Sequence, residues 1–174
     1  MNQPSPCRAS KIRLLSLLHS GPQAAARIAG SGSCPDISGT VRFYQTSAGV
    51  IVLAEINGLP HSDPPCQERI FGFHIHEGAS CTGNRDDPFA DTMSHYNPDG
   101  CGHPHHAGDL PPLFGNNGFA LSLFLTNRFS VREVVGKTVV IHDHADDFTT
   151  QPSGSSGAKI ACGVVQRELA PCRR

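Results

Sequence analysis

At 174 residues the chain is long enough for one ordinary domain with its own core and too short for two. Lys and Arg total 14 against 15 Asp and Glu, a formal net charge of -1, so no imbalance of sign points to nucleic acid or to an anionic membrane surface as a partner. Gly 18 and Pro 14 beside only 17% charged residues suit a turn-rich all-β chain and argue against a helical bundle.

Residues 1–20 read as a tail or one short helix packed on the body. Lys11 and Arg13 precede Leu14-Leu15-Ser16-Leu17-Leu18, and Ala24-Ala25-Ala26 follows. That order resembles a secretory signal, but the apolar run is short and broken by Ser16, shorter than the usual hydrophobic region. The expectation is a chain without a leader, cytoplasmic, with an extracellular or periplasmic setting as the alternative. No stretch approaches the roughly 20 apolar residues of a membrane span.

The body is expected over 21–170, followed by a short tail, 171–174. Segments 23–29, 37–45, 49–57, 69–76, 118–125 and 137–142 each carry apolar residues at about every second position or a short apolar run, which predicts strands. Turn residues bound them, as at Gly30-Ser31-Gly32, Ser47-Ala48-Gly49 and Asn116-Asn117-Gly118. Short strands in that rhythm indicate a sandwich or barrel. Two long connections, 77–115 and 143–158, interrupt it, and connections of that length are functional or disordered. Between them Ser130-Val131-Arg132-Glu133 has the capping-box spacing of one short helix before Gly136.

Histidine carries the chemistry. Of 10 His, seven are His74, His76, His95, His103, His105, His106 and His142. Phe73-His74-Ile75-His76 places two imidazoles two apart on a strand, hence on one face and within reach of one ion. Two unrelated polar residues on a solvated face would have the same spacing. The first long connection adds His95, His103, His105, His106 and Asp109, and the turn His106-Ala107-Gly108-Asp109 brings an imidazole and a carboxylate together. A nitrogen and oxygen set of that kind suits zinc, the bland alternative being an opportunistic His-rich loop. Val139-Val140-Ile141-His142 is a strand ending in one more ligand, with Asp146 and Asp147 just beyond. Seven Cys is an odd number, so at most three pairs form.

Taken in order, Gly72-Phe73-His74-Ile75-His76-Glu77, Ser94-His95-Tyr96-Asn97-Pro98, His103, His106-Ala107-Gly108-Asp109-Leu110, Ile141-His142 with Ala145-Asp146-Asp147, and Gly157-Ala158-Lys159-Ile160-Ala161-Cys162-Gly163 resemble the copper/zinc superoxide dismutase family over roughly residues 23–166. The resemblance implies an all-β, Greek-key antiparallel β-barrel or sandwich of about eight strands with two long functional loops. It implies an oxidoreductase that disproportionates superoxide by Cu(II)/Cu(I) cycling, with copper on His74, His76, His95 and His142 and zinc on His95, His103, His106 and Asp109. His95 is then the shared, catalytic ring, Asp146 the carboxylate that joins a copper His to a zinc His, and Cys81 and Cys162 the disulfide. Cys66 and Cys101 are candidates for a second staple; Cys7, Cys34 and Cys172 find no place. A homodimer stays open.

Two positions depart from the family's pattern. Its active-site cation is Arg, and here Lys159 stands in that place, keeping the charge but losing the planar fork that orients an anion. Slower turnover, gained back by Lys159→Arg, is the expectation. The zinc segment is compressed, with His103 and His106 three apart, which leaves the choice among His103, His105 and His106 open and makes His105 a spare. The rival readings are a non-catalytic zinc- and copper-binding domain on the same barrel, a cupin-like metal enzyme, and a metallo-hydrolase. The first would lack a copper ligand. For the others, Glu77 follows His76 too closely and residue 78 is Gly rather than the next ligand.

Overall fold

The computed structural model describes residues 14–61 and 69–168. In chain order it forms α1 (Leu14–His19), β1 (Ala24–Gly30), β2 (Ser38–Thr46), β3 (Gly49–Asn57), β4 (Ile70–Phe71), β5 (Phe73–His76), a 3-10 turn (Ala90–Thr92), β6 (Leu113–Phe114), β7 (Ala120–Thr126), α2 (Val131–Val134), β8 (Thr138–His142) and β9 (Lys159–Arg167). Seven strands make one curled antiparallel sheet in the order β5-β8-β9-β1-β2-β3-β7, and β4 pairs with β6 in a small second sheet. The chain passes from one end of this sheet to the other after β3, returns between β5 and β7, and passes across again after β7, so the all-β Greek-key expectation holds.

The period-2 pattern explains which face is inside. Ala24, Ala26 and Ile28 of β1, Val41 and Phe43 of β2, Val52, Ala54 and Ile56 of β3, and Phe73 and Ile75 of β5 all join one buried cluster. Removing such side chains from water is the main favourable term, about 1.5–3 kcal/mol for each large aliphatic or aromatic one. The helix α2 begins as its sequence requires, with the Glu133 carboxylate accepting from the Ser130 N–H at 2.6 Å and from the Ser130 hydroxyl at 2.6 Å.

Several expectations need correcting. Segment 69–76 is two strands, split at Gly72. The Gly72 N–H donates to His144 O at 2.7 Å while Gly72 O accepts from the His142 N–H at 2.9 Å, and a Cβ there would sit 2.8 Å from Ser156. The chain therefore turns from the small sheet into the large one at the one residue that leaves room for residue 156. Nine strands occur among the described residues, in keeping with the expected number of about eight. Two of them, β6 and β9, lie where no strand was expected: β6 is only two residues long, and β9 is buried on both faces over Ile160–Gly163, which erases alternation. The helix α1 forms as expected within 1–20; none of its residues is fully buried and Leu15 is 74% exposed, while Leu14, Leu17 and Leu18 are half-buried. Lys11, Arg13, Cys7, Cys66, Cys172 and the tail 171–174 lie outside the described residues.

Candidate metal centre

Strand register builds half of the site. β5 pairs with β8 so that His74 lies opposite Val140 and His76 opposite Thr138. The face carrying His74 and His76 therefore also carries Val140 and His142, while Phe73 and Ile75 go into the core. The β8–β9 ladder shifts register between Ile141 and His142, and an irregularity of this type re-aims the side chain at a strand end.

The other half comes from a loop laid along an edge. β5 is the last strand of its sheet, and its open backbone groups are taken by the long connection 77–115. Ile75 O accepts from the Tyr96 N–H at 2.8 Å, the Ile75 N–H donates to Gly108 O at 2.9 Å, and the Gly108 N–H donates to Tyr96 O at 2.8 Å. His95 is thereby bridged to His76 and Asp109 to His74. Residue 108 must be glycine because a Cβ would lie 2.2 Å from Ile75 O.

Two groups of four donors result: His74, His76, His95 and His142, and His95, His103, His106 and Asp109. Within each, the donor atoms lie within 4.8 Å of one another, and every residue is buried. The strand-borne pairs and the loop residues expected from sequence are thus brought together, His95 belongs to both groups, and the exposed His105 belongs to neither. The compressed spacing of His103 and His106 does not prevent their convergence.

The hydrogen bonds fix which ring nitrogen faces inward. Asp146 spans the two groups, accepting from His74 Nε2 at 2.7 Å with one oxygen and from His103 Nε2 at 2.9 Å with the other. His76 Nδ1 donates to Met93 O at 2.9 Å, and His142 Nδ1 lies 3.3 Å from Gly157 O. What remains is telling: His74 Nδ1, His95 Nε2 and His103 Nδ1 are buried with no hydrogen-bond partner. Orphaned buried nitrogens are costly, and here each belongs to a residue of one or both donor groups. His95 Nδ1 and Asp109 Oδ1 stand 2.7 Å apart and His106 Nδ1 is 3.3 Å from the same oxygen, while His103 Nδ1 lies 3.1 Å from Oδ2 without making a hydrogen bond. An all-imidazole set fits copper, and a set of three imidazoles and a carboxylate fits zinc.

Burial, first of all, pushes the His74 and His76 pKa values down and holds His142 at about 3; the neighbouring rings add to this, while the Asp146 hydrogen bond opposes it at His74. These rings are neutral near pH 7, as metal ligation requires. Burial would raise Asp146, but hydrogen bonds from His74, the Phe148 N–H and His103 outweigh it and bring the carboxyl to about 2. Burial likewise opposes, and His95, His103 and His106 overcome, the ionisation of Asp109, whose pKa is lowered.

A cavity of about 500 Å³ opens on the strand-side rings, lined among others by His76, His95, His142, Met93 and Lys159. Lys159 is not a free cation. Its ammonium donates to Asp87 Oδ2 at 2.7 Å and to Phe89 O at 3.1 Å. Cys81 and Cys162 form a disulfide with Cα atoms 5.7 Å apart. Of the second candidate staple, Cys101 is free and exposed, and Cys66 lies outside the described residues.

Three contributors were missed from sequence. Asp87 is one. Gln151 is another, its amide clamping the main chain of His103 by accepting from the N–H at 2.9 Å and donating to the carbonyl at 2.7 Å. The third is Arg128, which donates to Pro104 O, His106 O and Asp109 O at 3.0, 3.3 and 3.1 Å. None has a motif to betray it.

Against known proteins, residues 37–165 match the family model described as copper/zinc superoxide dismutase (SODC). The chain is 34% identical over 152 residues to a Cu-Zn superoxide dismutase of Deinococcus radiodurans, covering 75% of this chain and 78% of that one. It is 35% identical over 150 residues to the Cu-Zn superoxide dismutase of Legionella pneumophila, with 81% and 85% covered. A Cu-Zn superoxide dismutase of Photobacterium leiognathi is 32% identical over 142 residues, with 74% and 78% covered.

Proposed function

The chain belongs to the copper/zinc superoxide dismutase family, and from that premise we propose that it disproportionates superoxide to dioxygen and hydrogen peroxide at the two donor groups described above. In this reading His74, His76, His95 and His142 hold copper, and His95, His103, His106 and Asp109 hold zinc. Copper supplies the one-electron cycling between Cu(II) and Cu(I) that zinc cannot.

The chain's own residues do the rest. His95 is the proton-handling residue, because its Nε2 belongs to the group that faces the cavity and has no other partner. Whenever that nitrogen is not ligating copper, it would take a proton from solvent, and it would give this proton to the departing peroxide. Asp146 keeps the His74 and His103 rings aimed by bonding the nitrogen of each that points away from its group. Lys159 on the cavity wall attracts and stops the anion. The observation that carries the reading is the shared ring, one imidazole, His95, that belongs to both of two buried four-donor groups.

Metal analysis with electron paramagnetic resonance tests it. The copper- and zinc-loaded protein is expected to show an imidazole-rich Cu(II) signal and to consume superoxide, while the zinc-only protein does not. A copper-loaded sample without activity would leave a non-catalytic metal-binding domain. The proposal includes a homodimer. It is supported by Leu121, Leu123 and Leu125, exposed by 61, 44 and 48% in a row on the outer face of the edge strand β7. Such a row meets its own copy under a twofold axis. Light scattering giving the monomer mass would overturn that part.

A further inference from the structure

The cation on the cavity wall has a dedicated counter-ion, and the segment that supplies it is built for the purpose. Asn84 Oδ1 accepts from the Asp86 and Asp87 N–H groups at 2.9 and 3.0 Å, and Asp87 O accepts from the Asn84 and Ala90 N–H groups at 2.9 and 3.1 Å. Gly83 is packed so closely that a Cβ would fall 2.2 Å from Asp87 O. Just beyond, Phe89 is buried against Val140 and Cys162, with Cys81 beside them, and the disulfide joins this segment to β9, the strand that bears Lys159.

Asp87 is itself fixed, since Oδ1 accepts from the Phe89 N–H at 2.9 Å while Oδ2 takes the lysine. With the Phe89 carbonyl it forms a two-oxygen cradle for the Lys159 ammonium. An ammonium has three donors; two are spent on the cradle, leaving one for an incoming anion. The carboxylate also cancels much of the field that an unpaired lysine would cast into the cavity.

Resting on the reading of Lys159 as the anion-facing cation, we infer that Asp87 is a positioning residue that sets how strongly the site draws in its anion, trading attraction for a fixed ammonium. Lys159 alone on its four-carbon stem would have the charge without the position. Docked on Asp87, it has the position at reduced charge.

Azide, a small anion that needs no turnover, is the probe. Asp87→Asn keeps an acceptor for the Phe89 N–H and removes the charge. In the copper- and zinc-loaded protein at low ionic strength it is expected to bind azide about 3- to 30-fold more tightly than the unaltered chain. The gap should shrink as salt is added, because partly exposed charges are screened. Asp87→Ser, a second neutral variant, should shift affinity in the same direction, and the gain should vanish when Lys159→Met is also present.

Azide affinity unchanged or weakened in both neutral variants overturns the inference, as does a gain that survives removal of Lys159. The proposed function is judged separately by superoxide consumption. A protein that binds azide as predicted without consuming superoxide would retire that function and leave Asp87's role standing.

Discussion

The two halves of the metal centre are held by different means. His74, His76 and His142 stand on paired strands, and their positions follow from backbone register and from core residues on the opposite face. His95, His103, His106 and Asp109 stand on a loop, which keeps its shape through the edge of β5 and through side chains reaching in from elsewhere: Asp146, Gln151 and Arg128. Register is a collective property that no single side chain controls. A loop held by individual hydrogen bonds can be loosened one residue at a time, so the two halves should fail differently.

Acid should separate them most strongly. In protein stripped of metal, the His74, His76 and His142 rings have lowered pKa values, His142 about 3, while the unfolded chain takes protons near 6.5. The unfolded state therefore binds more protons below 6.5, and stability, fully present above that pH, falls as pH drops toward 3. Each ring contributes at most about 1.4 kcal/mol per pH unit in this window. Asp109 and Asp146 have lowered carboxyl values, so their contribution is present above about 4 and is lost only below it, through about 2 for Asp146. Urea midpoints of the metal-free protein at pH 7, 5.5 and 4 should decline steadily. A flat profile down to pH 4 would mean that the strand-side rings are not held neutral by burial.

The Asp146 carboxylate bonds one ring of each half, His74 and His103, and Asp146→Ala sharpens the contrast. Losing an orienting carboxylate costs about 10- to 100-fold in metal affinity. The zinc half should suffer more, because His103 has no strand to keep its ring in place whereas His74 retains its ladder. Chelator competition for each metal measures this. Equal losses of copper and zinc would contradict the division.

The same division explains what could be read from the chain. The His-x-His of β5, the terminal His142 and the turn ending in Asp109 were legible because each is local: a period of two, a strand end, a glycine that admits close backbone approach. So was the capping box at Ser130 and Glu133. The split at Gly72 was not, because its cause is Ser156, far along the chain and adjacent only after folding. Asp87 sits in Arg85-Asp86-Asp87, and nothing local tells which carboxylate will meet a lysine 72 residues on. Gln151 and Arg128 act through their neighbours' main chain, which leaves no pattern of paired residue types. The buried β9 lacked alternation because both its faces are covered. Short-range pattern exposes the candidate ligands, and long-range contact decides what holds them.

The smallest effect tests the loop half alone. Gln151 makes two neutral side-chain bonds to the His103 main chain and touches no residue of the strand half in the hydrogen-bond network. Bonds of this kind contribute about 1 kcal/mol each or less, so Gln151→Ala should speed zinc release by roughly 5- to 10-fold. Copper affinity should stay within about twofold, because the β5–β8 register that positions His74, His76 and His142 is untouched. Release is followed with a zinc-sensitive dye after adding a chelator. If copper were lost as readily as zinc, the loop would be bracing the strands as well, and the two halves would have to be treated as one unit. If neither changed, Arg128, with three carbonyl contacts on the same turn, would be sufficient to hold the segment without the amide.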